Sequence, residues 1–287
     1  MIKSFASTLI VCAIALPAAA QQTFTGRLSD STCGGSHQAT RSSDTDRECL
    51  FACINRLAKY VLVDENGRVT PIANQDAAGL PLYAGRPVKL TGERNGDAIV
   101  IAKVEAIPAH LHLGHVMTNW RDTPGTRGFL PVAIDEARVA AVHAGLAVKS
   151  AGLQGIEDVK LHAAHVLNAL DPTVEPRGPA AGYGVRKAVS DALQHLELAA
   201  RAEGATPVIV THAAIASGSL SNVLQLVDQA IAVAQRVRAF TDAADVAAAA
   251  ADLAALTRRI SEDGLREAQT ELQVILKAEG ILGAPKD

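Results

Sequence analysis

Two hydrophobic periods divide this chain. Up to about residue 107, apolar and polar positions alternate in short runs broken by turn residues, the pattern of half-buried strands. Thr23 to Leu28 alternates. Tyr60-Val61-Leu62-Val63 and Arg68-Val69-Thr70-Pro71-Ile72 flank Asp64-Glu65-Asn66-Gly67, a hairpin with Asn-Gly at its centre. Pro87 to Gly92 and Ala98 to Val104 flank Asn95-Gly96-Asp97, a second hairpin. A helix is expected over about Asp46 to Leu57. Five short strands with one helix between the first and second predict a small OB-like β-barrel over residues 22–107.

Beyond Pro108 the period lengthens. Residues 108–130 are rich in histidine, glycine and proline and read as a linker. Apolar residues then recur three and four apart, the period of helices that bury one side. Helices are expected at Pro131–Lys149, at Ile156–Leu170 with a stop at Asp171-Pro172, and at Val185–Ala202. Others are expected at Pro207–Phe240 with a bend at Ser217-Gly218, at Ala243–Ile260 and at Glu262–Ala278. Short connections between helices of this length favour antiparallel neighbours, so residues 131–287 predict an all-α up-down helical bundle. The fold class expected is α+β, a small N-terminal barrel followed by a bundle.

The first half also carries a motif pattern. It runs Gly26-Arg27-Leu28-Ser29-Asp30-Ser31-Thr32-Cys33-Gly34-Gly35-Ser36-His37, then Cys49-x-x-x-Cys53, then Tyr60-Val61-Leu62, then Ala84-Gly85-x-x-Val88. In this it resembles a domain of small uncharacterised exported bacterial proteins, over nearly all of residues 24–105. The resemblance implies an OB-like barrel and brings no activity with it.

Residues 1–20 read as a secretory signal peptide: Lys3, a short apolar run, then Pro17-Ala18-Ala19-Ala20 as a small-residue cleavage site before Gln21. The apolar run is short of the roughly 20 residues a membrane span needs. No later segment is expected to cross a bilayer. The expected location is therefore the periplasm or the outside of the cell. A net charge of −3 gives no electrostatic footprint for nucleic acid, and 3% aromatic residues give few surfaces for stacking bases. No protein partner is indicated.

The candidate chemistry lies in histidine and cysteine. Eight of the nine histidines follow residue 108, in sequence that otherwise reads as alanine-rich helix. Histidine brings no packing advantage to a helix, and neutral imidazole is the commonest metal ligand. On the first bundle helix Val132, Glu136, Val139, His143 and Leu146 share one stripe, which places a carboxylate and an imidazole on the face expected to be buried. Such a carboxylate needs a partner, either a metal or hydrogen bonds from His143 or nearby backbone. His162 and His165 stand three apart on the second helix and face one side. Carboxylate-bridged di-iron bundles use Glu-x-x-His at this spacing, so the parallel is partial. Ala188, Ala192, His195, Ala199 and Ala202 form a small-residue face on the third helix. His212 opens the fourth. His110-x-His112-x-x-His115 is a separate cluster in the linker, able to bind copper or zinc or to cover a bundle site.

Glu136, His143, His162, His165, His195, His115 and His212 together form the candidate bundle site. Nitrogen and oxygen ligands of this kind suit zinc, copper or iron rather than calcium or magnesium. Haem b held by two histidines is the alternative cofactor, and covalent haem is excluded by the lack of Cys-x-x-Cys-His. A third reading makes the histidines structural in a non-catalytic envelope interaction module. In the barrel, Cys33, His37, Cys49 and Cys53 offer a closed zinc-type site. A disulfide from Cys33 to Cys49 or Cys53 competes with it, and export favours the disulfide. The loop Gly178 to Gly184 lacks the lysine and hydroxyl of a phosphate-binding loop, and no serine has a base and acid arranged around it.

Overall fold

The structure is a computed structural model that describes residues 21–36 and 46–281. The expected signal peptide and His37 lie outside the described residues.

The first half folds around one five-stranded antiparallel sheet. Its strands are β1 (Gln22–Asp30), β2 (Tyr60–Val63), β3 (Val69–Pro71), β4 (Pro87–Asn95) and β5 (Ala98–Ala106). Their order is β3-β2-β1-β4-β5. Both predicted hairpins form. Asp64 Oδ1 accepts the backbone N–H of Asn66 and Arg68, and Gly67 takes a positive φ of 76°, which closes the β2–β3 turn. The second hairpin pairs Asn95 with Ala98 around Gly96 and Asp97.

The sheet is open, which overturns the expectation of a closed OB-like barrel. Its two edges meet at an isolated bridge between Ile72 and Ile99, with bonds from Ala73 to Ile99 and from the Asn74 side chain to Ile101, and a three-residue β3 is too short to extend that bridge into a ladder. Leu28, Leu62, Val88, Leu90, Ile99 and Leu50 fill its core. Leu50 comes from helix α1 (Asp46–Ile54), and α2 (Leu80–Tyr83) adds Leu80.

The chain beyond Ile107 is helical. Pro108 was expected to begin a linker; it instead starts helix α3 (Pro108–Met117) at the one helical position where its missing N–H costs nothing. Helices α4 (Phe129–Gly152), α5 (Ile156–Leu170), α6 (Val185–Arg201), α7 (Pro207–Ala239), α8 (Ala243–Arg259) and α9 (Arg266–Ala278) follow. Ile260–Leu265 joins the last two as a single widened turn. Helix α7 passes Ser217-Gly218 without a break. Contrary to the sequence reading, it is long and apolar enough, by length and composition, to cross a membrane. Here it packs against α5, α6, α8 and α9.

The stripe α4 buries matches the expected one at Val132 and Glu136 and departs from it further along the helix. Ala133, Ala137, Ala140, Ala144 and Ala147 face the core, whereas Leu146 is exposed and Val139 and His143 are half-buried. Alanine brings helix axes close, so the alanine face takes the interior and the larger residues move to its margins. His143 therefore stands beside the core, at the seam with α5.

Gly92 sits at the bulge between β4 and β5, where an added Cβ would lie 2.2 Å from the carbonyl oxygen of Val100. A Gly92→Ala variant is expected to lose about 2–3 kcal/mol of stability, measured as a lowered denaturant midpoint with an unchanged slope.

Candidate metal centres

The bundle histidines converge on two points. His162 and His165 lie one turn apart on α5, and His143 reaches them from α4. His143 Nδ1 is 3.1 Å from His162 Nδ1 and 3.3 Å from His165 Nδ1. The second triad joins α3 to α6: His195 Nδ1 is 3.1 Å from His112 Nδ1 and 3.2 Å from His115 Nδ1. In each group one nitrogen from every residue lies within 4.8 Å of the other two. The seven-residue set expected from sequence is thus divided, with His195 and His115 in one triad and His143, His162 and His165 in the other.

Glu136 and His212 serve other ends. Glu136 is 1% exposed, and its carboxylate accepts the backbone N–H of Tyr183 at 2.9 Å, Gly184 at 3.1 Å and Ala181 at 3.3 Å. It binds the start of α6, where unpaired donors and the helix dipole favour an anion. His212 Nδ1 lies 2.6 Å from Glu271 on α9, and His110 Nε2 lies 3.0 Å from Glu279.

Five of the six triad histidines sit where burial disfavours the charged imidazole. Burial lowers the pKa of His143, and His165 and His162 lower it further. Burial lowers that of His165, with His162 adding to the effect and the Glu175 carboxylate opposing it. His112, His115 and His195 are all lowered by burial first; His112 adds to the effect at His115, and His115 and His112 add to it at His195. Depressed pKa values leave the converging lone pairs unprotonated at neutral pH, as a metal requires.

The first half holds a third group. Cys33 follows β1, and Cys49 and Cys53 lie one turn apart on α1. Cys33 Sγ is 3.9 Å from Cys49 Sγ and 3.7 Å from Cys53 Sγ. No two of them are bonded. The turn that presents Cys33 is set by Asp30, whose Oδ1 accepts the N–H of Thr32 and of Cys33, each at 2.9 Å. Burial, a hydrogen bond with Cys53 and the nearby Asp30 carboxylate push the Cys33 thiol up to about 12. Burial also raises Cys53.

A repeat accounts for the two histidine triads. Leu-His-x-x-His-Val occurs at 111–116 and again at 161–166. Twelve residues past the second histidine of each stands Arg-Gly, Arg127-Gly128 and Arg177-Gly178, and a lone histidine follows on the next helix, His143 and His195. The structure exchanges the ligands between the two units: the pair from the first binds the lone histidine of the second, and the converse. Self-comparison of the sequence at a fixed offset would have revealed it.

Comparison of the chain with protein-family models, with curated proteins and with solved structures finds no match.

Replacing Glu136 by alanine is expected to cost about 3 kcal/mol, because three N–H groups lose a charged acceptor. Metal content per folded chain should be unchanged; a drop of one ion per chain would make Glu136 a ligand.

Proposed function

We propose that this chain binds transition-metal ions, one at each histidine triad, for metal handling or sensing in an exported compartment. The observation that carries the reading is the spacing of the ligand atoms. Two nitrogens at tetrahedral positions, each about 2.0–2.1 Å from a zinc ion, are about 3.3 Å apart. Four of the six nitrogen separations in the triads run from 3.1 to 3.3 Å, and the ligand atoms of the remaining two pairs lie within 4.8 Å. Neutral imidazole suits zinc, copper and iron, and the oxygen cages of calcium and magnesium have no counterpart in the triads.

The thiol cluster supports a third site. Sulfurs about 2.3 Å from a tetrahedral ion lie about 3.8 Å apart, which matches 3.7 and 3.9 Å. The spacing favours a thiolate metal site over the disulfide that export suggests.

Handling fits better than turnover. Each triad supplies three ligands, as catalytic zinc sites do. A cleft of about 740 Å³ between sheet and helices, however, is lined by none of the six triad histidines. Haem fits less well, since axial ligands face each other across a macrocycle and these imidazoles touch.

Elemental analysis of untagged protein tests the reading. His162→Ala/His165→Ala and His112→Ala/His115→Ala should each remove one ion per chain, and the fourfold variant two. Full metal content in the fourfold variant would refute it. The chain's one tryptophan, Trp120, has its ring centroid 4.6 Å from that of His115, so quenching by a paramagnetic ion should vanish with His112 and His115 alone.

Acid should weaken the metal-free protein. His112, His115, His143, His165 and His195 have folded-state pKa values below the ordinary value of about 6.5. The unfolded chain then binds more protons. Their contribution is complete above about pH 6.5 and is lost as the pH falls through that value toward the folded-state values. Thermal unfolding of chelated protein between neutral and mildly acidic pH reads this directly.

A further inference from the structure

The two histidine triads have the same ligands and different walls. Beside the α3–α6 triad, the Trp120 ring lies 4.6 Å from His115 and 5.3 Å from His195, edge-on at 69° and 61°. Phe129 lies 5.2 Å from His195 and 5.5 Å from Trp120, extending the same aromatic wall. Trp120 is held in place by its backbone: its N–H donates to the Arg127 carbonyl, and its carbonyl accepts the Thr123 hydroxyl. Around the α4–α5 triad, among the described residues, the ring contacts given are those of its own imidazoles. The repeat locates the difference. Five residues after the second histidine, the first unit has Trp120 and the second has Leu170.

Charge does not separate the sites. The Asp191 carboxylate, which acts on His195 of the first triad, is bound by Lys187 and the Tyr183 hydroxyl, and the Glu175 carboxylate, which acts on His165 of the second, is bound by Arg238. Both carboxylates are thus offset by a cation.

We infer that Trp120 makes the α3–α6 triad selective for monovalent copper, leaving the α4–α5 triad to a divalent ion such as zinc. This rests on the metal-binding reading above. Zinc with three protein ligands completes its shell with water, and Cu(I) is satisfied by three donors. An apolar shell controls solvent access and local dielectric, so it makes water a poor fourth ligand. Three neutral imidazoles leave the full ionic charge uncompensated, and burying that charge costs less for a monovalent ion than for a divalent one. The electron-rich face of an indole adds attraction for a cation within its reach.

Competition titrations on the full chain test the inference, with Cu(I) presented anaerobically as a complex with a chromophoric chelator and zinc measured against a second one. Because the thiol cluster is itself a candidate site, both backgrounds also carry Cys33→Ser, Cys49→Ser and Cys53→Ser; in that chain His162→Ala/His165→Ala isolates the α3–α6 site. There Trp120→Leu should reduce Cu(I) affinity by about tenfold relative to zinc, and Trp120→Phe should keep most of the preference. The His112→Ala/His115→Ala background isolates the other site, which should prefer zinc. Equal Cu(I)-to-zinc ratios at the two isolated sites, or an unchanged ratio in Trp120→Leu, would overturn the inference while leaving metal binding intact. Failure of the parent chain to bind either ion would overturn the metal reading itself, and selectivity with it. If Trp120→Leu does not fold, the Trp120→Phe ratio compared with the α4–α5 site decides.

Discussion

A carboxylate shut away from water must be given hydrogen bonds, and Glu136 obtains its own from Tyr183 and Gly184, the residues that lead into α6. That requirement docks α6 on α4 at a fixed depth. Both triads inherit the position. Helix α4 carries His143 to the α5 seam, and α6 carries His195 to the α3 seam. Gly184, with a φ of 82°, lets the chain turn into the helix while its N–H still reaches the carboxylate. The alanine face of α4 completes the arrangement, since small side chains allow the neighbouring helices close enough for imidazoles from separate helices to touch.

Much of the helical half was legible in sequence. The expected helix Ile156–Leu170 forms with those ends, because Glu157 and Asp158 favour its first turn and Asp171-Pro172 cannot continue it. The hairpin turns were equally plain, since Asn66-Gly67 and Gly96-Asp97 allow little else. Helix α3 was hidden because histidine, glycine and proline look like loop residues when averaged over a window. Here the proline is at the helix start and Gly114 is tolerated within it. Barrel closure depends on how the ends of a sheet meet, which no local pattern encodes.

The site was legible by residue and illegible by grouping. Spacing shows that His162 and His165 share a face, and it is silent about which helix supplies the third ligand. Glu136 was read with a metal, His143 or nearby backbone as its partner; it found backbone donors more than forty residues away in sequence. The cysteines likewise admitted a bond or a metal, and their spacing along the chain does not choose between the two.

Were an ion bound at each triad, the exchanged contacts would give the two unequal hold on the chain. An ion between His112, His115 and His195 ties together residues 80 and 83 apart, whereas one between His143, His162 and His165 spans only 19 and 22. Cross-linking a loop about four times longer withdraws about 1.2 kcal/mol more of disordered-chain entropy. An ion at the α3–α6 seam would thus be the stronger staple, a reversible cross-link that gathers α3, α4, α5 and α6 into one closed loop.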